Sequence, residues 1–527
     1  MKNTKTHHDF VGNKKLSSTI GNTGVDDSDE LVPVLDVLGD AESAEETFAR
    51  LQAWNRSPGA LKAGAYDVEQ ELLRGGMEVL RHMLEENFRG RGIGDVGPFI
   101  LLDKQGEGEE IQLGHRRLRG RNYESIFGTI RLERLGYNAR GEQSVHPLDE
   151  VLNLPQRKYS YVLQERGVRW CGHGPFDESL DSLEATTAGH IPKRQLEESV
   201  VDAALDFTEF YETRSKTAPP PEESGSILVA GIDCKGIPKR KTVEEKAEPR
   251  KIRLGKGEKR TKKKMATVAS VHTTEPYWRT AEQVVANLMD PDAPRPLNPR
   301  PRPEGRRLWA SVKQSKDEVI KEVAGEMQRR DPAGVKTAVC VMDGERALKT
   351  RAVKYLQSVF PGLLLILDII HVVEYLWKAA YELYEPQSEE ARLWVRERLL
   401  RILHGEVSHV VRGMRQSATK QELLPEKREA IDTACAYFLN NKDRMRYDDY
   451  LAHGLPIASG AAEGACGHLV KDRMEITGAI WDVEEDRADA VLRIRALDKS
   501  GDWDEYWSFH MAQERKRLYA KRWNVVP

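Results

Sequence analysis

Ile227-Leu-Val-Ala-Gly-Ile-Asp233 and Thr337-Ala-Val-Cys-Val-Met-Asp343 decide the fold. Each is a short run without polar alternation, the pattern of a strand buried on both faces, and each stops at an aspartate. A third run of this kind, 363–367, ends at Asp368, and two β-rich runs, 265–271 and 308–312, lie between the first two. Helical periodicity fills 317–330, 345–359 and 372–384. The order strand, strand, strand, helix, strand, helix, strand, helix predicts an α/β fold with a mixed sheet, and no glycine-rich phosphate loop occurs in it.

Working outward, 385–450 loses strands altogether. Leu403, Val407, Val410 and Met414 keep one helical face, as do Ile431, Cys435 and Phe438, which predicts a helical insertion. The chain then enters a helix rich in small residues near Glu463. Gly460, Gly464 and Gly467 there each cost roughly 1 kcal/mol of helix propensity, and the expectation is that the helix backbone packs closely on the sheet. Upstream, 1–40 is polar and aperiodic and reads as a disordered tail. A mostly helical region spans 41–110, and 111–220 holds a small β element followed by two helices. Arg116, Arg117, Arg119 and Arg121 decorate one end of the β element, as DNA contacts or as an exposed hairpin face. The helices flank Thr186-Thr-Ala-Gly-His190, with Gly189 as a left-handed stop and Lys193 and Arg194 opening the second. A helix-turn-helix that reads DNA and a plain helical hairpin both fit this pattern. A Pro-rich linker at 218–221 sets a boundary near 220, so the core falls at 221–384, its insertion at 385–453 and its final helices and tail at 454–527.

Composition narrows the class of protein. The chain has 527 residues, 39% hydrophobic and 31% charged, enough for several domains with their own cores. No apolar run approaches the roughly 20 residues a membrane span needs, so no membrane partner is expected. The N-terminus has no apolar segment of the secretory kind. Five scattered cysteines without a CxxC pair predict a reduced, cytoplasmic protein. The net charge of −3 hides an asymmetry: 235–264 carries 14 Lys/Arg and 4 Glu, a local +10 on an otherwise acidic chain. Such a segment suits a polyanion, and Lys239, Arg240, Lys262, Lys263 and Lys264 are its candidate phosphate contacts.

Asp233 and Asp343, at strand ends, and Glu463, near the start of the glycine-containing helix, are the candidate site. Carboxylates from adjacent strands with a third from a helix make a hard oxygen cage suited to Mg²⁺ (or Mn²⁺), and two such ions support phosphoryl transfer. Asp368, also at a strand end, competes for the second position. Cys171 and His173 lack the partners a metal site needs, and Trp377, Trp481, Trp503 and Trp507 fit core packing better than base stacking.

The strings VAGIDCKGIPKRK (229–241), CVMDGERAL (340–348), LDIIHVVEYLWKAAYELY (367–384), LPIASGAAEGACGHLVKDRME (455–475) and GDWDEYWSFH (501–510) resemble those of ISKra-type transposases, DDE enzymes of bacterial insertion sequences. PLDEVLNLP (147–155), YSYVLQERG (159–167), TTAGHIPKRQLEE (186–198) and DFTEFYETR (206–214) are similar to that family's N-terminal half. The resemblance implies a ribonuclease-H-like core whose acidic triad, Asp233, Asp343 and Glu463, is split by a helical insertion. It also implies Mg²⁺-dependent DNA cleavage and strand transfer, with a homodimer on double-stranded DNA acting on terminal inverted repeats and a target. Asp368 and His371 match an Asp/Cys-x-x-His signature seen beside the site in related Mutator-like transposases, which puts both at the site margin. Cys234 is a departure, standing where a Gly is usual. A transposase-derived DNA-binding protein without catalysis, and a ribonuclease-H-type nuclease, are the alternatives.

Overall fold

The computed structural model describes residues 31–39, 43–103, 110–217, 225–241, 263–290, 299–482, 486–519 and 523–525. Its strands are β1 (Ile100–Asp103), β2 (Glu110–Leu113), β3 (His115–Ser125), β4 (Gly128–Asn138), β5 (Ile227–Pro238), β6 (Lys263–Thr274), β7 (Glu304–Ser311), β8 (Thr337–Met342), β9 (Leu364–Leu367) and β10 (Trp523–Val525). The described residues fall into two compact units, one within 1–98, 114–148 and 187–189, the other within 99–113, 149–186 and 190–527. This division cuts across the expected boundary at 110.

In the first unit, Ser43 caps the helix Ala44–Asn55, which packs with Ala65–Arg89, and the β3–β4 hairpin lies on the latter. Phe88 meets Tyr123 edge to face at 5.6 Å. The stretch expected as a disordered tail contains a helix, Val34–Leu38, with both end residues buried against Leu51 and Trp54. Hydrogen bonds add to that apolar burial, the Val34 N–H donating to Glu71 at 2.6 Å and the Trp54 indole to the Val32 carbonyl at 2.8 Å. Residues 1–30 of that expected tail lie outside the described residues.

The second unit is built on a five-stranded mixed sheet of order β7-β6-β5-β8-β9. β5, β6 and β7 form an antiparallel meander, whereas β8 and β9 run parallel to β5. Val229, Val339, Val341 and Ile366 belong to one continuous core with the helix Ile369–Leu383 and the insertion helices Glu389–Leu403, Val407–Lys420, Pro425–Asn440 and Tyr447–Ala452. The helices of 389–452 thus extend the sheet's core rather than standing apart. Past it, Gly460–Ala465 continues through a π turn, Cys466–Lys471, into Asp472–Met474. The helix Arg487–Ser500, with nine buried residues, covers β7. β10 pairs with β1 in a separate sheet of order β10-β1-β2. Among the described residues, no helix is long and apolar enough to cross a membrane.

Three local expectations need correction. β5 does not stop at Asp233 but runs to Pro238, because β6 pairs with it throughout, Asp233 opposite Val268 and Ile237 opposite Lys264. Cys234 therefore sits in extended strand, not in a turn. Nor do the glycines at 464 and 467 mark close packing, since a Cβ built at either meets nothing within 4 Å; Ala465, Cys466, Leu469 and Val470 are the buried residues instead. Gly189 is not left-handed, and the helix Phe176–Thr186 has already ended three residues earlier.

Candidate active site

The parallel pairing of β5 with β8 ends at Ile232 opposite Met342, so Asp233 and Asp343 are the next residue on each strand. Neighbouring strands are roughly 4.8 Å apart. Side chains alternate along a strand, so both aspartates keep the parity of Val229 and Val341, on the face covered by Ile369–Leu383 and the insertion. Asp233 stands mid-strand toward β6 but at a strand end toward β8. That is where a crevice opens in a sheet of this kind.

Each carboxylate is held differently. Asp233 Oδ1 accepts the Cys234 N–H at 2.6 Å, and Oδ2 accepts the Cys466 thiol at 3.1 Å. Burial, with the Asp233 carboxylate beside it, pushes the Cys466 pKa up, so the thiol stays a donor. This bond ties the π turn to β5, and Glu463 lies three residues before Cys466 on the adjoining helix. The Glu463 side chain is outside the described residues. Asp343 Oδ1 accepts the Tyr437 hydroxyl at 3.0 Å and also the Gly344 N–H. The Arg444 guanidinium donates to the Asp343 carbonyl at 3.2 Å.

Asp368 is 1% exposed and caps the helix Ile369–Leu383. Its Oδ1 accepts the Ile370 N–H at 2.9 Å, and Oδ2 accepts the Ser459 N–H at 2.9 Å together with the Ser459 hydroxyl. It fastens the chain leading into the Glu463 helix, and both oxygens are engaged in doing so. His371, in the first turn of the same helix, is half-buried with Nδ1 3.6 Å from Glu374. Burial works to lower its pKa, yet the carboxylates of Asp343, Asp368, Asp233 and Glu374 raise it above the ordinary value. The imidazole thus reports a convergent negative field from β5, β8 and the end of β9.

Among the described residues, no group of three His, Cys, Asp or Glu is close enough to hold a metal ion. Asp343 nonetheless fits a hard cation, a half-buried carboxylate whose Oδ2 accepts no hydrogen bond from any described residue. The half-buried Asp233 beside it accepts one bond at each oxygen, the weaker from a thiol that a cation would displace. A third oxygen would come from Glu463.

The candidate DNA contacts divide into three sets. Lys239 and Arg240 follow β5 onto a bridge with Trp481, the Arg240 N–H donating to the Trp481 carbonyl at 2.7 Å. Lys263 is ion-paired with Glu475, Lys264 opens β6 with it, and Lys262 lies outside the described residues, as does the basic run over 242–262. Lys193 is paired with Asp177 at 2.7 Å and Arg194 with Glu198 at 3.1 Å. Their helix, Lys193–Ala203, also carries Glu197 and Asp202, paired with Arg487 and Arg157. With three carboxylates beside two engaged cations, its surface suits a helical hairpin better than a DNA-reading helix. Trp481, Trp503 and Trp507 are buried, as core packing requires, and Cys171 is buried without a metal group around it among the described residues.

Sequence reasoning misses Tyr437, Arg444, Ser459 and Cys466. Tyr437 and Arg444 lie in the insertion, outside every quoted string, and although Ser459 and Cys466 fall within 455–475, each reaches the site only through the fold.

No protein-family model matches the chain, and no curated protein matches it. Among solved structures, a chain of the Drosophila P element transposase strand transfer complex is similar over 64% of this chain and 79% of its own, at 9% identity and a TM-score of 0.23. A TM-score of that size shows neither a shared fold nor a shared activity, so the candidate site stands on its own geometry.

Proposed function

We propose that the chain is a DNA transposase of the kind carried by bacterial insertion sequences, cutting DNA at element ends and joining the freed 3′ end to a target. The observation that carries this reading is the placing of Asp233 and Asp343 on adjacent parallel strands, with the Glu463 helix tied to Asp233 through Cys466. A strand order of β7-β6-β5-β8-β9, with a helical insertion between the second and third carboxylates, also supports the ribonuclease-H-like core implied by the sequence resemblance. Divalent Mg²⁺ or Mn²⁺ ions, two in number, held by Asp233, Asp343 and Glu463 would supply an activated hydroxyl and stabilise the leaving oxygen. Asp368 fixes the chain that delivers Glu463, and His371 sits at the margin among the acids around it. Lys239, Arg240 and Lys262–Lys264 bind phosphate, while a homodimer on DNA brings two ends together.

The test is cleavage of DNA taken from both flanks of this reading frame, where the proposal expects inverted repeats. Wild-type protein is expected to cut in Mg²⁺ and to stop in chelator, and Asp233→Asn is expected to bind the same DNA without cutting it. Tight binding without cleavage in any metal would instead identify a DNA-binding protein that has lost catalysis. Cleavage without joining would identify a nuclease.

A further inference from the structure

Gly344 has no room for a side chain. A Cβ built there would lie 2.3 Å from the Tyr437 ring and 2.5 Å from its hydroxyl, so the residue after Asp343 is a glycine because Tyr437 lies over it. Tyr437 comes from the insertion helix Pro425–Asn440, 94 residues away in sequence. Its hydroxyl donates to Asp343 Oδ1 at 3.0 Å and accepts the Gly344 N–H at 3.2 Å. The ring is fixed from behind by Tyr375, stacked at 3.9 Å and 18°. Arg444, 1% exposed, grips the Asp343 carbonyl and is itself held by the Asn441 side chain. Burial, with Asp343 beside it, raises the Tyr437 pKa, so the phenol keeps its proton at neutral pH.

A half-buried carboxylate can turn about its side-chain bonds, and a ligand must present one oxygen in one direction. We infer that Tyr437 is a positioning residue: the helical insertion holds Asp343 Oδ1 through this hydroxyl so that Oδ2 is presented to a divalent cation. The inference rests on the reading of Asp343 as a metal ligand, and it gives the insertion a task in the chemistry. Outer partners of metal ligands are worth roughly ten- to a hundred-fold in affinity.

Tyr437→Phe removes only the hydroxyl and keeps the ring over Gly344. Two readouts on the full chain test it: Mn²⁺ binding by calorimetry, and the Mg²⁺ concentration giving half-maximal cleavage of end DNA. Both are expected to shift to roughly ten-fold higher metal or more, with metal-free Tm and DNA affinity unchanged. Gly344→Ala, which displaces the ring, is expected to weaken Mn²⁺ binding to a similar degree, and the double variant no further, because both act on one hydrogen bond. Metal affinity within two-fold of wild type in Tyr437→Phe would overturn the inference, as would a fall in metal-free Tm alone. Wild-type protein that neither binds Mn²⁺ nor cuts DNA would overturn the transposase reading as well. Wild type that does both, beside an unaltered variant, would overturn the role of Tyr437 only.

Discussion

Asp343 and Asp368 follow neighbouring strands, yet their surroundings assign them different work. Asp368 is buried and accepts from Ile370 and twice from Ser459, whereas Asp343 is half-buried and keeps Oδ2 outside any described hydrogen bond. In Asp368→Asn an amide nitrogen would have to face a donor, so the variant is expected to lose about 2–3 kcal/mol of stability in urea unfolding. Part of its cleavage should survive at temperatures well below its Tm. Asp343→Asn is expected to do the reverse, losing cleavage while its unfolding free energy in urea changes by less than about 1 kcal/mol. Cleavage abolished in Asp368→Asn with stability intact would exchange the two roles. Sequence alone ranks these acids by strand position and by the family resemblance, not by what holds each carboxylate. Ser459 and Tyr437, whose hydrogen bonds separate the two, lie 91 and 94 residues further on.

At the scale of elements, legibility follows the source of stability. β8 is readable to the residue because Thr337–Met342 is a buried run bounded by polar residues. β5 reads too short at its far end, since Asp-Cys-Lys-Gly-Ile-Pro carries turn signals that pairing with β6 overrides. The glycine-containing helix falls in the expected place for a reason that fails, since Gly464 and Gly467 face open space. The basic run gives this scale its prediction. Replacing Arg240, Lys262, Lys263 and Lys264 with Ala is expected to lower the slope of log affinity against log salt by roughly 0.9 for each phosphate no longer neutralised, equally for end and random DNA. Lys263→Ala alone should change it least, since Glu475 already engages that ammonium. Lys193→Ala with Arg194→Ala, which breaks exposed ion pairs, should leave the preference for end DNA over random DNA nearly unchanged. A filter-binding salt titration separates these outcomes, and an unchanged slope in the fourfold variant would remove the basic run from the DNA interface.

Across the whole molecule, each unit holds a histidine that folding keeps neutral. Burial, then Arg134, Arg121 and Arg119, lowers His146 to about 4, and burial, then Arg330, Arg300 and Arg306, lowers His272 to about 3. Unfolded histidine titrates near 6.5, so below that pH the unfolded chain binds the proton that the folded chain refuses. Stability therefore falls as pH drops from about 6.5 toward the folded values. Acidification from pH 7 to pH 5 is expected to cost about 1–2 kcal/mol through His272 alone, measured by urea unfolding. His272→Gln should flatten that dependence, and an unaltered slope would show that other groups carry it.

The bond between Asp233 and Cys466 spans 233 residues, which orders the life of the chain in time as well as in space. At a synthesis rate of about 5–20 residues per second, roughly 10–50 seconds pass between the emergence of the first carboxylate and that of the turn fastened to it. During that interval the ribosome holds a polypeptide that already has its Asp233 strand but lacks the turn that fastens to it. On the proposed reading, a message broken before codon 460 would leave that state permanent, a chain with Asp233 and Asp343 but without Glu463.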